Sequence, residues 1–134
     1  MHPLAMKLEF KNTHDKMDSC MVFNTLDELT KICNETAERH GWNAKGVPPI
    51  PEMIALIHSE ASEALEAYRE HLPLTGESAT DKDMKPVGLA SEFADILIRI
   101  FHYSALLRID LTYEVFRKMQ YNETRPYRHG GKAC

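Results

Sequence analysis

Residues 89–108 read LASEFADILIRIFHYSALLR, and this stretch decides the fold. At about 100° per residue its apolar side chains cover most of the circumference of a helix, so we expect this helix to be largely buried. Its polar exceptions share one wedge roughly 80° wide in the same geometry: they are Glu92, Asp95, Arg99 and His102. A buried helix rarely carries charges without partners, because a lone desolvated carboxylate costs several kcal/mol. The wedge is therefore a candidate site.

Around this stretch the sequence predicts three further helices and no strand. The first spans Thr25 to His40, with Asn24 as its N-cap and Gly41 at its end. The second runs from about Pro51 to His71, after a loop rich in proline. The fourth runs from Leu111 to about Tyr121 with Asp110 as its N-cap.

Four helices joined by loops predict an all-α four-helix bundle. A chain of 134 residues is typical of one domain, so we expect a single domain over 1–134. We divide it into an N-terminal arm (1–22), a helical core (22–126) and a basic tail (127–134). The third helix is too apolar for a lone small bundle, so we expect homo-oligomerisation to complete the fold.

Charge and cysteine content narrow the function classes. The net charge of −4 disfavours a nucleic-acid binder, which usually has a strongly basic face. No apolar run suits a secretory signal or a membrane span, so we expect no membrane partner. Cys20, Cys33 and Cys134 form neither a disulfide framework nor a CxxC zinc pattern. We therefore expect a cytoplasmic protein.

Two acidic pairs are the candidate chemistry. Glu60 and Glu63 lie on the second helix, and Glu92 and Asp95 on the third, each pair at i, i+3 and so on one side of its helix. If both pairs face a shared core, they either protonate or hold a cation between them. Carboxylate oxygens without histidine suit Mg²⁺ or Mn²⁺. Because ExxE is common on solvated helix faces, spacing and burial alone leave a metal site and a solvated face both open.

At these residues the chain resembles a known family. HSEASEALEAYR (58–69) and SEFADILIR (91–99) are similar to the ExxE…ExxD pattern of MazG-like nucleoside triphosphate pyrophosphohydrolases, which belong with the dimeric dUTPases in the all-α NTP pyrophosphatase superfamily. Gly41-Trp42 and the run KMQYNETRPYRHGGK (118–132) are also similar to short members of that family. The resemblance covers about residues 22–132.

The resemblance implies an enzyme that binds Mg²⁺, for which Mn²⁺ can substitute, through Glu60, Glu63, Glu92 and Asp95. It implies hydrolysis of (deoxy)nucleoside triphosphates between the α and β phosphates, giving the monophosphate and pyrophosphate. Our choice for the residue that accepts a proton from the attacking water is Glu63. The resemblance also implies a homodimer or homotetramer with sites near subunit contacts.

Further substrate-binding residues follow from the same resemblance. Lys118, Asn122, Arg125 and Lys132 would stabilise the departing pyrophosphate, and Trp42 would form a wall for the base. Core packing is the alternative role for Trp42, and an exposed basic tail the alternative for Lys132. We expect dGTP or GTP as substrate, with a dUTPase-like or modified-nucleotide house-cleaning hydrolase as the alternative.

Three other functions compete with this interpretation of the sequence motifs. A ferritin-like di-iron bundle needs ExxH on two helices, which the chain lacks. His14-Asp15 resembles part of an HD phosphohydrolase motif but precedes the helical core. The third rival is a non-catalytic helical oligomerisation or regulatory module, in which each acid would pair with a base on a facing helix. Arg99 is the only cation in the wedge, which is too few for four carboxylates.

Overall fold

The computed structural model describes residues 19–126 and the side chains of residues 25–126. This part of the chain is predominantly helical, which confirms the all-α prediction at that level. The predicted basic tail and residues 1–18 of the predicted arm lie outside the described residues. In chain order the elements are α1 (Ser19–Arg39), α2 (Ile50–Arg69), β1 (Ala79–Thr80), β2 (Pro86–Val87), α3 (Leu89–Leu106) and α4 (Leu111–Glu123).

The end of α1 and the start of α4 show local capping hydrogen bonds. At the end of α1, Gly41 has φ 77°, and the N–H groups of Gly41 and Trp42 donate to the carbonyls of Glu38 and Ala37, which is a Schellman motif. Asp110 caps α4 as predicted, since its Oδ1 accepts from the N–H of Tyr113 at 2.9 Å. The predicted N-cap of α1 is wrong, because the helix begins at Ser19 and runs through Asn24.

A short β-hairpin lies where the sequence predicted only a loop. β1 and β2 pair antiparallel, with Ala79 opposite Val87 and Thr80 opposite Pro86. Asp81 holds the turn, since its Oδ1 accepts from the N–H groups of Asp83 at 2.8 Å and Lys85 at 2.9 Å. Two residues per strand are too few for an alternating pattern, so the prediction that the chain has no strand was wrong.

The described residues divide into two compact units. The terminal unit comprises residues 19–28 and 110–126, and the central unit comprises residues 29–109. In the terminal unit Thr112 is 2% exposed, and its Oγ1 donates to Asp27 Oδ1 at 2.7 Å. This hydrogen bond joins α4 to the first part of α1, and Phe116 of α4 is buried as well.

In the central unit α2 packs against α3. Ala64 and Ala67 are buried on α2, and such small side chains let two helix backbones approach closely. Larger buried side chains complete this core: Met53, Phe101 and Tyr103. The packing of α2 against α3 brings Glu60 and Glu63 of α2 close to Glu92 of α3.

α3 is less buried in the single chain than its sequence predicts. Phe93 is 54% exposed and Leu97 is 51% exposed. On α2, Ile54, Leu65 and Tyr68 are exposed as well. The prediction of a largely buried third helix is therefore wrong for one chain, because periodicity measures how apolar a face is and not whether a neighbour covers it. Within the described residues, no helix combines the length and apolarity that crossing a bilayer requires.

Candidate metal centre

Three of the predicted acidic residues meet where α2 packs against α3. Glu60, Glu63 and Glu92 each offer one carboxylate oxygen, and these oxygens all lie within 4.8 Å of one another. Glu60 and Glu92 are buried, whereas Glu63 is exposed. The i, i+3 spacing placed the first two on one side of α2, and the helix packing supplied the third from α3.

A close backbone contact fixes the position of Glu92 at the start of α3. The N–H of Leu89 donates to the carbonyl of Pro73 at 2.9 Å. Gly88 precedes it with φ 115°, and a Cβ on Gly88 would lie 2.7 Å from the same carbonyl oxygen. Only glycine fits this approach. The hydrogen bond between Leu89 and Pro73 anchors the first turn of α3, which carries Glu92, against the segment that follows α2.

Among the described residues, one buried oxygen of the Glu92 carboxylate lacks a partner. Glu92 is 7% exposed, and its Oε2 has no hydrogen-bond partner among the described residues. Burial raises the pKa of Glu92, and the charges of Glu63, Asp95 and Glu60 raise it further against the opposing effect of Lys85. A buried, unpaired acceptor among like charges is the environment that a divalent cation would stabilise. The donor set therefore fits a hard cation.

Glu60, by contrast, has a cationic partner. Arg99 Nε donates to Glu60 Oε1 at 2.5 Å, and Arg99 Nη1 donates to the hydroxyl of Tyr103 at 3.2 Å. Burial opposes the charged form of Arg99, but these hydrogen bonds outweigh it, and the pKa of Arg99 is raised. Arg99 Nε thus holds one oxygen of the Glu60 carboxylate in place.

A cavity of about 480 Å³ within the central unit adjoins the acidic cluster, of which Asp95 is not a member. Both Asp95 and Glu60 lie on the cavity wall. Trp42, which is 66% exposed, lies on the wall too, and its predicted contact with a base stays a prediction. The rest of the wall is mainly apolar or aromatic and includes Ile32, Pro48, Leu56, Ile98 and Tyr103. A largely apolar cavity with a few polar groups is typical of a small-molecule site.

A hydrogen-bonded chain of side chains begins at His102, which lines the same cavity. His102 Nε2 lies 2.8 Å from Asn43 Oδ1, and Asn43 Nδ2 donates to Asn34 Oδ1 at 3.4 Å. Asn34 Nδ2 then donates to Glu38 Oε1 at 3.1 Å. The sequence placed His102 in the acidic wedge. It gave no signal for Asn34 or Asn43, which come from α1 and the loop after it.

Cys33 also lines the cavity. Burial raises the pKa of its thiol. A thiol whose pKa is raised is a poor nucleophile at neutral pH, because the thiolate is the reactive form. The cavity therefore favours chemistry at the carboxylates over chemistry at the cysteine.

None of the predicted pyrophosphate ligands belongs to the central unit. Lys118, Asn122 and Arg125 belong to the terminal unit, and Lys132 lies outside the described residues. Lys118 Nζ lies 5.2 Å from the centroid of the Tyr121 ring, and the guanidinium carbon of Arg125 lies 6.0 Å from it. These contacts are cation–π pairs. The role of the four residues in substrate binding stays a prediction.

Comparison of the chain with protein-family models, with curated proteins and with solved structures found no match. The function therefore has to be inferred from the acidic cluster, the cavity and the resemblance of the ExxE…ExxD pattern.

Proposed function

We propose that this protein is a Mg²⁺-dependent nucleoside triphosphate pyrophosphohydrolase of the MazG-like type. It converts (deoxy)nucleoside triphosphates to the monophosphate and pyrophosphate. The observation that carries this proposal is the buried Glu92 carboxylate, whose Oε2 has no partner among the described residues and which meets Glu60 and Glu63 across the α2–α3 contact. Such a cluster needs a cation to be stable in the charged form.

The donor set favours magnesium among the biological metals. The cluster offers carboxylate oxygens only, and Mg²⁺ and Mn²⁺ prefer such ligands. When bound, such a cation neutralises phosphate charge and makes a water molecule nucleophilic at neutral pH. Glu60, Glu63, Glu92 and Asp95 are the residues that would hold it.

Each carboxylate has a distinct environment, and this supports distinct roles. Glu63 is the exposed member of the cluster, so it can reach a water molecule and accept its proton. Glu60 is oriented by Arg99, which fixes the oxygen it presents. Asp95 lies on the cavity wall, where it joins the cation site to the bound nucleotide.

The cavity would hold the base, with the phosphates towards the carboxylates. Trp42 offers an exposed aromatic face, and nucleobases stack on such faces. We assign the stabilisation of the departing pyrophosphate to Lys118, Asn122, Arg125 and Lys132, as the resemblance implies.

The proposal is tested by measuring pyrophosphate release from a panel of NTPs and dNTPs with Mg²⁺, with Mn²⁺ and with a chelator. We expect a 1:1 yield of nucleoside monophosphate and pyrophosphate with either metal and none with the chelator. GTP and dGTP are the expected substrates, with dUTP and modified nucleotides as the alternatives. Release of orthophosphate, or no turnover of any member of the panel, would contradict the proposal.

Self-association is the second part of the proposal. The exposed apolar side chains of α2 and α3 include Ile54, Leu65, Tyr68, Phe93 and Leu97, and a second copy of the chain would remove them from water. We expect a homodimer or homotetramer that completes a four-helix bundle. Light scattering should give two or four times the chain mass of 15.4 kDa. A mass of one chain at micromolar concentration would contradict this.

A non-catalytic helical module is less consistent with the same geometry. That function requires each acid to pair with a base on a facing helix, as Glu60 does with Arg99. Glu92 has no such ion pair among the described residues, and its Oε2 is unpartnered. In a purely structural cluster, nothing would compensate the free energy that burying this charged carboxylate costs.

A further inference from the structure

The chain of hydrogen bonds from His102 to Glu38 has a fixed direction. A carboxylate only accepts hydrogen bonds, so Asn34 must turn its NH₂ group towards Glu38 and its oxygen towards Asn43. Asn43 then gives its NH₂ group to Asn34 and turns its oxygen towards the imidazole. His102 Nε2 must therefore carry the hydrogen, and in the neutral ring Nδ1 carries a lone pair.

The imidazole is in the neutral form that this arrangement needs. Partial burial lowers the pKa of His102, and the charge of Arg99 lowers it further against the opposing effect of Glu38. Nδ1 has no hydrogen-bond partner among the described residues. His102 thus brings an unused acceptor to the cavity wall.

Arg99 has a donor that no described residue uses. Arg99 precedes His102 by three residues on α3, so the two side chains share a helix face, and both line the cavity. Nε and Nη1 of Arg99 are engaged by Glu60 and Tyr103, whereas Nη2 has no hydrogen-bond partner in the described part of the chain. Arg99 and His102 therefore both line the cavity, about one helical turn apart on α3, and each has a nitrogen that no hydrogen bond of the described residues uses.

We propose that His102 and Arg99 select the base: His102 Nδ1 accepts from an exocyclic amino group, and Arg99 Nη2 donates to the adjacent unprotonated ring nitrogen. Adenine, cytosine and guanine each carry an amino group beside such a nitrogen. Uracil, thymine and hypoxanthine carry no amino group, and their ring N–H groups adjoin carbonyl oxygens, which the Nδ1 lone pair repels. The substrate class is thus the amino-bearing nucleotides. This inference rests on the proposed function, and it disfavours the dUTPase alternative.

The test compares matched nucleotides that differ at the amino group, dCTP with dUTP and dGTP with dITP. We expect kcat/KM to favour the amino-bearing member by on the order of 10- to 100-fold, which is what one unsatisfied buried acceptor costs. Titration calorimetry of dCMP and dUMP in the presence of chelator should give a Kd ratio in the same direction, without any turnover.

The decisive variant is Glu38→Lys, which reverses the direction of the hydrogen bonds that lead to His102 and replaces no residue that lines the cavity. A lysine only donates, so Asn34 and Asn43 must both turn over, and His102 Nε2 must accept. Nδ1 then carries the hydrogen, and the preference should shift towards dUTP and dITP. Glu35→Lys adds the same charge on the exposed face of α1 and should leave the preference unchanged.

His102→Phe provides a second measurement, with His58→Phe on the exposed face of α2 as its control. We expect the amino preference to fall several-fold with His102→Phe only, to the part that Arg99 still supplies through the ring nitrogen. Equal kcat/KM and Kd for the matched nucleotides in the unchanged protein would overturn the inference. An amino preference that is as large in Glu38→Lys and in His102→Phe as in the unchanged protein would also overturn it. Either result leaves the proposed function standing, which fails instead if no triphosphate yields pyrophosphate.

Discussion

Replacing Glu63 with alanine is expected to abolish pyrophosphate release while leaving the helical fold intact. Glu63 is exposed on α2, and alanine is the best helix former, so neither packing nor helix propensity is lost. The variant loses both a cation ligand and the proposed proton acceptor. General-base removal alone costs about 10²- to 10⁴-fold in rate, and loss of the metal adds to this. Asp95→Ala should have an effect of the same order, because Asp95, on the cavity wall, is a proposed cation ligand.

The matched control is Glu66→Ala, one turn further along α2. Glu66 forms a surface ion pair with Arg69, and such pairs contribute little to stability. We expect kcat and KM of this variant to stay near those of the unchanged protein. Circular dichroism should give the same helical content for all of these variants. Full activity in both Glu63→Ala and Asp95→Ala would refute the assignment of the site.

The second large effect is expected at Glu92, on stability as well as activity. For the unchanged protein, Mg²⁺ at about 100 times its Kd adds about 2.7 kcal/mol to the free energy of unfolding. That raises Tm by roughly 10 °C for a domain of this size. Glu92→Gln should remove this shift, because the cluster loses the buried carboxylate that needs the cation. Differential scanning calorimetry with and without Mg²⁺ measures the shift in Tm of the unchanged protein and of Glu92→Gln.

The pH dependence of the metal-free protein supplies an independent readout. The pKa of Glu92 is raised above 4.5 in the folded state, chiefly by burial, so the folded state binds this proton more tightly than the unfolded chain does. The resulting stability is fully present below the ordinary pKa of the carboxyl group and is lost as the pH rises through the raised pKa. We therefore expect Tm in chelator to fall across this window in the unchanged protein, and to fall less in Glu92→Gln.

Glu114→Gln is the matched control for this variant. Glu114, like Glu92, lies in the first turn of its helix, where a negative charge is favoured by the helix dipole, but it is exposed and paired with Arg117. The control should keep the Mg²⁺ shift and show no change in the pH dependence. If Glu92→Gln keeps the full Mg²⁺-dependent rise in Tm, the buried carboxylate is not a ligand.

Several features of this protein were predictable because they depend on residues close in sequence. The i, i+3 spacing of Glu60 and Glu63 fixes their common side of α2 whatever the rest of the chain does. Gly41 ends α1 and Asp110 caps α4 through hydrogen bonds within a few residues. The helical character of the chain follows from the same local rules.

Only the tertiary structure decided how these local features combine. The Arg99–Glu60 pair and the contact of His102 with Asn43 span 39 and 59 residues, and no periodicity reports such distances. The same holds for the unpartnered oxygen of Glu92 and for the exposure of Phe93. The physical reason is that helix formation is governed by contacts within about four residues, whereas pairing, burial and pKa depend on which elements pack together.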